Sequence, residues 1–553
     1  MIIQNQDVSN ASYSYDVCII GSGPGGGVVA NELAGSGLKV CVLESGQRKN
    51  TEFGDKLRDV DSEGIFIKSY SRERVFGGAS TTWAGLSSPF DPVDFERRDW
   101  VSYSGWPIDH SELLPFYREA AERYRFPPLE KFENLRWESL HKEATVRPQW
   151  NELTEKVFLA SEDPQNFGRE FLDVYERDDT DLLLDSTVIR LEGNSCSGDC
   201  QHAVVSRSDK KQFRVNATHF VLAANGIENA RLLLNSTYTD SLGLGNQNDQ
   251  VGRYFMNHPK NYFGKITLTK PIKELPAYFG FMADGFAGYF GLRISEKLQR
   301  ERRLLNSYIR FEPVFPWSDN PGVEAVVFLT KQTKFLMKSF RSLKKGGVVK
   351  LRDYAETGDD SDLQNERKTI KSYFNILRLV VTHLPTVAVY LFYRLIDRLD
   401  PKVRSIRIRN FMEMEPHPNN RIILSEQRDD LGCRKAKVIH SPTDLDKRSM
   451  VEVHESLKRD LSTMNWGKFK IELTPEIEPW PIDGDASHHM GSTRMGSDPS
   501  NSVVDRDCKI HSISNVYVAG GSVFPTCGNV NPTFTLIALA IRLANHLKTI
   551  HQK

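Results

Sequence analysis

The sequence predicts an α/β fold: a doubly wound domain assembled from discontinuous segments, with an α+β domain inserted between them. Three observations predict it. Short apolar runs of similar character, Tyr15–Ile20, Thr218–Ala224 and Asn515–Ala519, stand far apart in the chain. A glycine-rich turn follows the first of them. Between the second and third, from about Ile266 to Glu478, strand-like runs such as Ala325–Leu329 and Arg421–Leu424 alternate with charged loops.

Tyr15–Ile20 is short, apolar and rich in β-branched residues, the pattern of a strand buried on both faces. After the turn a small-residue segment through Leu33 predicts a helix, and Lys39–Leu43 predicts a second strand. Strand, turn, helix, strand is the opening of a doubly wound domain. The turn reads Gly21-Ser-Gly23-Pro-Gly-Gly26 and fits G-x-G-x-x-G. Gly21 permits the tight turn, Gly23 lets backbone approach a pyrophosphate, and Gly26 lets helix and strand pack closely. The helix N-terminus offers free N–H groups and a positive dipole end to phosphates. Glu44 ends the second strand, 23 residues after Gly21, where a carboxylate accepts from ribose hydroxyls. Together these predict a Rossmann-like dinucleotide site; FAD and NAD both remain open at this point.

Length and composition set outer bounds. The 553 residues exceed one compact core and allow several domains or two unequal ones. With 39% hydrophobic and 26% charged residues, composition is that of an ordinary soluble protein. Lys plus Arg and Asp plus Glu both number 72, so no basic excess points to nucleic acid. Seven thinly spread cysteines argue against a disulfide framework. Cys18 and Cys41 read as small buried hydrophobes, and Cys196 and Cys200 as a surface loop with room for a local bridge. No metal-ligand spacing stands out. The N-terminus has no basic start followed by an apolar stretch, so no secretory signal is predicted and a cytoplasmic location is expected.

Residues 331–400 form a separate excursion. Lys331–Lys345 is basic with interleaved aromatic and aliphatic residues, and Asp353–Asp362 is acidic. Tyr373–Leu399 is strongly apolar but interrupted by Arg378, His383 and Pro385. Its uncharged run is shorter than the roughly 18–20 residues that span a bilayer. Two readings stay open: a helical excursion packed on its own protein or a partner, and an interfacial hairpin at a membrane surface.

Four further stretches decide between the cofactors. Arg74-Val-Phe-Gly77-Gly78-Ala-Ser80-Thr-Thr82-Trp83-Ala-Gly85 resembles the second glycine motif of the glucose–methanol–choline (GMC) oxidoreductases. Ser104–Ile108, followed by a helix from about Ser111, and Val221–Arg231 resemble further blocks of that family. Ser487–Gly496, with Gly520-Gly521-Ser522 and Asn531-Pro532-Thr533-Phe-Thr535, resembles its C-terminal signature. The resemblance covers both ends and one middle block and fades between about Ile266 and Phe411. It is closest to the branch of pyranose oxidases and gluconate and fructose dehydrogenase large subunits.

The resemblance implies FAD, held by Gly21, Gly23, Gly26, Glu44, Gly77, Gly78, Ser80, Gly521, Pro532 and Thr533. Some pyranose oxidases link FAD through a histidine where this chain has Thr82, so a non-covalent flavin is expected. Removing a hydroxyl proton as hydride leaves the carbinol carbon needs a base that titrates near neutrality, and histidine does. By resemblance His488 is that base. Asn531 falls on the second member of the pair; its amide can orient the hydroxyl but cannot be the base. Asparagine before proline at the head of an apolar-periodic run also reads as a helix N-cap, and both roles are expected of Asn531. His489 is expected to support the site through backbone or substrate. Asn257-His258-Pro259 is expected to pack or turn, and Glu413 to reach substrate hydroxyls or lie in a solvated turn.

The expected organisation is an FAD domain of residues 1–125, 180–265 and 478–553, with a substrate domain of 126–179 and 266–477. The expected activity is oxidation of a CH–OH group on a sugar, glycoside or polyol, with electrons passed to oxygen or another acceptor. The resemblance leaves two alternatives, a non-redox flavoprotein like the family's hydroxynitrile lyases and a dehydrogenase subunit docked on a membrane through 331–400.

Overall fold

The computed structural model describes residues 2–3, 13–135, 137–140, 147–161, 163–194, 198–272, 275–332, 370–395, 402–482 and 487–552. At the head of the chain come β1 (Ile2–Ile3), β2 (Tyr13–Ile20), α1 (Pro24–Leu33) and β3 (Val40–Leu43). The next main elements are β4 (Asp61–Glu63), α2 (His110–Tyr124), β5 (Leu153–Ser161), β6 (Thr180–Leu183), β7 (Thr187–Gly193), β8 (Cys200–Ser206), β9 (Gln212–Leu222) and α3 (Gly226–Asn235). Then follow β10 (Lys260–Asn261), β11 (Lys265–Ile272), β12 (Phe281–Ala283), β13 (Phe286–Ile294), β14 (Tyr308–Val314) and α4 (Pro321–Gln332). After α5 (Ile370–Thr382), α6 (Leu384–Leu395) and β15 (Val403–Phe411) come β16 (Arg421–Arg428), β17 (Arg434–Ile439) and α7 (Asp444–Met464). The last are β18 (Gly467–Lys470), β19 (Val516–Val518) and α8 (Thr533–His551).

The first sheet has the order β1-β6-β3-β2-β9-β8-β7, with β19 added on β9. Its β1, β6, β3, β2, β9 and β19 pair in parallel, and β8 and β7 extend it as antiparallel strands. Every residue of β3 and the last four of β2 are buried, as expected for strands covered on both faces. Val516–Val518 pair with Phe220–Leu222, which in turn pair with Cys18–Ile20. The C-terminal part of the chain is thereby built into the sheet that its N-terminal part begins. Tyr117 in α2 hydrogen-bonds Thr535 in α8 at 2.6 Å, and Phe126 stacks on Phe534 at 4.8 Å.

The second sheet has the order β12-β13-β14-β15-β11-β18, with β5 on β13 and β10 on β15, and these pairings are antiparallel. Side chains alternate across its faces with the strand period of two. Ile309, Phe311, Ile406 and Ile408 pack with Met450, Val453 and Leu457 of α7. Their neighbours Tyr308, Arg310, Arg409 and Phe411 line a cavity on the opposite face. Thr443 begins α7 with a reciprocal cap to Asp446, and Asn465 ends it in the left-handed region at φ 50°, a local start and a local stop signal.

Two sequence expectations change. Ala325–Leu329, read as a strand, lies inside the helix α4. A short apolar run has no period that separates strand from buried helix, and here Val323 of α4 packs on Val387 and Tyr390 of α6. The β16–β17 hairpin, placed within the 266–477 segment, pairs with β4 from the head of the chain. In the excursion, α5 and α6 are bent by 84° at a short break, next to Pro385, which cannot donate to an interior helix bond. Among the described residues no single helix is long and apolar enough to cross a membrane. The acidic loop, nearly all of the basic stretch and Cys196 lie outside the described residues.

Candidate active site

The glycine turn shows two kinds of requirement for glycine. Gly21 has φ 105°, and a Cβ there would lie 2.6 Å from the Ala223 carbonyl oxygen. A Cβ at Gly26 would lie 2.0 Å from the Gly21 carbonyl oxygen. Both glycines are demanded by the protein itself. Gly23 is different: its φ is −65°, and a Cβ would meet only Gly78 Cα, at 4.0 Å. Neither dihedral nor neighbour excludes a side chain there, so an open lane alongside Gly23 is what the small residue preserves. Gly23 also caps α1 without a side-chain bond, leaving helix N–H groups for an anion.

Ser22 ties the motifs together. Its hydroxyl donates to Glu44 at 2.5 Å and accepts the Gly77 N–H at 3.1 Å. Glu44 also accepts N–H groups of Ser22 and Gly46; burial pushes its carboxyl pKa up against those bonds. Ser80 donates to the Gly77 carbonyl at 2.6 Å and accepts the Phe167 N–H at 3.0 Å, which pins the turn, and it also lines the cavity. The residues present fit a dinucleotide: the helix N–H groups behind Gly23 would hold a pyrophosphate, and the Glu44 carboxylate would take ribose hydroxyls.

A cavity of about 300 Å³ connects the lane to the second sheet. Pro24, Ser80 and Thr82 line one part, Tyr289, Tyr308 and Arg310 another, and His488, Asn531 and Thr533 a third. Met256 and Met490 form an antiparallel bridge, exchanging both N–H···O bonds at 3.0 Å. Two residues back along one segment and two forward along the other, that register sets His488 opposite His258. The Asn257 side-chain oxygen accepts the N–H groups of both histidines, at 2.7 and 3.1 Å.

The resulting contact assigns protons. His258 Nε2 lies 3.1 and 3.0 Å from the Cys527 and Gly528 carbonyl oxygens, which only accept, so Nε2 carries a hydrogen. Burial pushes the His258 pKa down to about 4, so the ring is neutral and its Nδ1 is an acceptor. His488 Nδ1 lies 2.8 Å away and must be the donor. The neutral His488 ring therefore keeps its lone pair on Nε2, where the Asn531 amide donates at 3.3 Å.

Asn531 is not a helix cap: α8 begins at Thr533, Pro532 occupies the cap position, and no side chain caps it. Its amide is turned to His488 instead. His489 stacks on Phe255 at 6.1 Å and does not line the cavity. Gly521 accepts the Gly491 N–H at 3.2 Å; neither it nor Pro532 lines the cavity, whereas Thr533 does. Gly77 turns with φ 94° beside Gly168. Glu413 neither reaches the cavity nor lies in solvent. It is fully buried and pairs with Arg98 through two bonds of 2.7 and 3.1 Å, a contact whose loss on one side costs about 3–5 kcal/mol. Sequence reasoning noted His258 but missed its orienting contact, and it missed Lys260, Arg310 and Arg409. The alternation of isoleucine and arginine in Ile406–Arg409 was the available signal.

A family model described as GMC oxidoreductase matches residues 416–540. The fructose dehydrogenase large subunit of Gluconobacter japonicus is 24% identical across 97% of this chain and 98% of its own length. Paromamine 6'-oxidase of Streptomyces fradiae is 23% identical across 96% and 90%. Among solved structures, pyridoxine 4-oxidase from Mesorbium loti superposes with a TM-score of 0.54 at 14% identity, covering 97% of this chain and 99% of that one. Formate oxidase does so with a TM-score of 0.53 at 14% identity, covering 98% and 100%.

Proposed function

We propose, from the premise that this chain belongs to the GMC oxidoreductase family, that it is an FAD-dependent enzyme oxidising a CH–OH group of a sugar, glycoside or polyol. The observation that carries this reading is the chain Asn531–His488–His258 on the wall of one cavity, with the open lane alongside Gly23 next to Pro24 of the same cavity. Fructose dehydrogenase and paromamine oxidase among the relatives support a carbohydrate-like alcohol. FAD, when bound, supplies the acceptor for the hydride.

The chain's own residues do the rest. His488 Nε2 takes the hydroxyl proton, and the tautomer imposed by His258 makes that nitrogen the basic one. When Nε2 is protonated, Nδ1 still donates to His258, so the contact orients both states. The Asn531 amide donates to the substrate oxygen once a hydroxyl enters between it and Nε2. The aromatic wall of Tyr289, Tyr308 and Phe411 excludes water, which strengthens these polar contacts. Thr82 spends its hydroxyl on the Tyr70 and Ala79 carbonyls, in keeping with a non-covalent flavin, which acid precipitation would release into the supernatant. Electrons leave to oxygen or to another acceptor.

Anaerobic mixing of the yellow holoprotein with a panel of sugars and polyols tests the reading. Bleaching of the oxidised flavin band is expected with at least one of them. A band that persists across the panel favours a non-redox use of the same histidine. A second reading concerns location: the large apolar side chains Leu377, Val381, Leu384, Val389, Leu391 and Phe392 are exposed on α5 and α6. Their clustering supports a peripheral contact with a membrane surface, the bent pair lying along it rather than across it.

A further inference from the structure

Arg310 on β14 and Arg409 on β15 are direct cross-strand partners, and both line the cavity that holds His488. Like charges set directly opposite on one face destabilise a sheet, so the pairing needs a reason. The nearby carboxylates serve Arg407 and Arg409. Arg407 takes Asp319 at 2.8 Å, and Glu312 stands 3.6 Å from Arg407 and 3.9 Å from Arg409. Arg310 has no carboxylate partner among the described residues. It is 6% exposed, and its Nε is buried without a hydrogen-bond partner. Its guanidinium lies 4.2 Å from the centroid of the Tyr289 ring, a cation–π contact that fixes the plane without using the N–H groups. Lys260 adds a third cation. It pairs in register with Phe411, lies 5.6 Å over that ring and lines the same cavity, whose walls carry no aspartate or glutamate among the described residues.

We propose that Arg310 and Arg409, supported by Lys260, form a subsite for an oxyanion carried by the alcohol substrate, a carboxylate or a phosphate ester. This rests on the oxidoreductase reading above and narrows its substrate class from neutral sugars to acidic polyhydroxy compounds. The physical reason is desolvation: a buried guanidinium with unused donors gains most from a planar or tetrahedral oxyanion that accepts two bonds at once. The tyrosines and Phe411 keep water from screening the contact. With its anion held on the sheet, a polyol chain extends toward the Asn531–His488 end of the same cavity, so the subsite sets which hydroxyl reaches the base.

The test compares matched substrates on the holoenzyme under anaerobic conditions, reading flavin bleaching. Gluconate is set against sorbitol, and glucose 6-phosphate against glucose. Wild type is expected to reduce at least roughly tenfold faster, at equal low concentration, with the charged member of one pair. Which pair responds separates carboxylate from phosphate. Arg310→Met is expected to abolish the preference chiefly by weakening substrate binding, with the rate at saturation little changed, and Arg310→Lys to restore part of it. Arg409→Gln provides an independent variant should Arg310→Met lose its flavin. As a readout apart from turnover, acetate and inorganic phosphate are titrated by calorimetry, with heat expected for wild type and lost in the variants. Neutral substrates bleaching as well as charged ones, or a preference untouched in both variants, overturns the subsite and leaves the oxidoreductase reading standing. Bleaching by no substrate at all defeats that broader reading instead.

Discussion

Nδ1 of His258 and Nδ1 of His488 lie 2.8 Å apart, and this contact decides which nitrogen of His488 is basic. A histidine free to choose its tautomer would present a lone pair on Nε2 only part of the time. Here two backbone carbonyls fix the His258 proton on the far side of its ring, and the near side can only accept.

His488→Ala is expected to retain FAD and to slow flavin reduction by about 10²–10⁴-fold, the range of a positioned general base. Asn531→Ala, which leaves the base in place, is expected to cost less, roughly tenfold, mainly in the reduction rate at saturation. Rapid-mixing absorbance measures both. Near-normal reduction in His488→Ala would falsify the base assignment.

His258 acts through His488. His258→Phe, which keeps the ring but removes the acceptor, is expected to lower the reduction rate while leaving FAD content unchanged. Because burial holds the His258 pKa near 4, it stays neutral across the working range. The acid limb of the wild-type pH profile above about pH 5 is then expected to follow a single proton, with unit slope. A slope of two would mean that both histidines titrate there.

The glycines of the first motif separate ligand from fold. Gly23→Ala adds a Cβ that meets only Gly78 Cα at 4.0 Å. The variant is expected to fold with an unchanged apoprotein melting temperature but to bind FAD at least roughly tenfold more weakly. Gly26→Ala, whose Cβ would sit 2.0 Å from the Gly21 oxygen, is expected to lose the fold. Equal FAD affinity for wild type and Gly23→Ala would remove the lane as a cofactor path.

His454 is fully buried on α7 and bonded to the Asn410 side chain at 2.7 Å, and burial pushes its pKa down to about 3. Below the unfolded value near 6.5 the unfolded chain binds a proton that the folded chain refuses. Its contribution is therefore complete above about pH 6.5 and falls as pH drops toward 3, by about 1.4 kcal/mol per unit. His454→Gln is expected to destabilise the protein at pH 7 and to do so by about 2 kcal/mol less at pH 5. Denaturant titrations at the two pH values give the difference; an identical penalty at both would contradict it.

For the exposed faces of α5 and α6, Leu377→Glu combined with Leu391→Glu is expected to abolish sedimentation with vesicles carrying anionic lipid. Flavin bleaching in solution is expected to stay unchanged. Wild type that remains wholly in the supernatant would count against the membrane contact.

Where the chemistry of the chain is local, one window of residues was enough to read it. Tyr15–Ile20, the glycine turn, α1 and β3 announce themselves because a buried parallel strand must be continuously apolar and a backbone turned at φ 105° must be glycine. His488 and Asn531 were legible through resemblance, as residues in short polar loops. Ala325–Leu329 was misread because its partners Val387 and Tyr390 lie far along the chain, and five apolar residues carry no period of their own. His258 was taken for a packing residue since nothing near it in sequence tells that 230 positions later another imidazole will face it. Arg310 and Arg409 went unread in the sequence; strand pairing across about a hundred residues set them side by side on a walled cavity. Periodicity and backbone strain are properties of neighbours in sequence. Proton placement and charge crowding arise between groups that meet only when the sheets close.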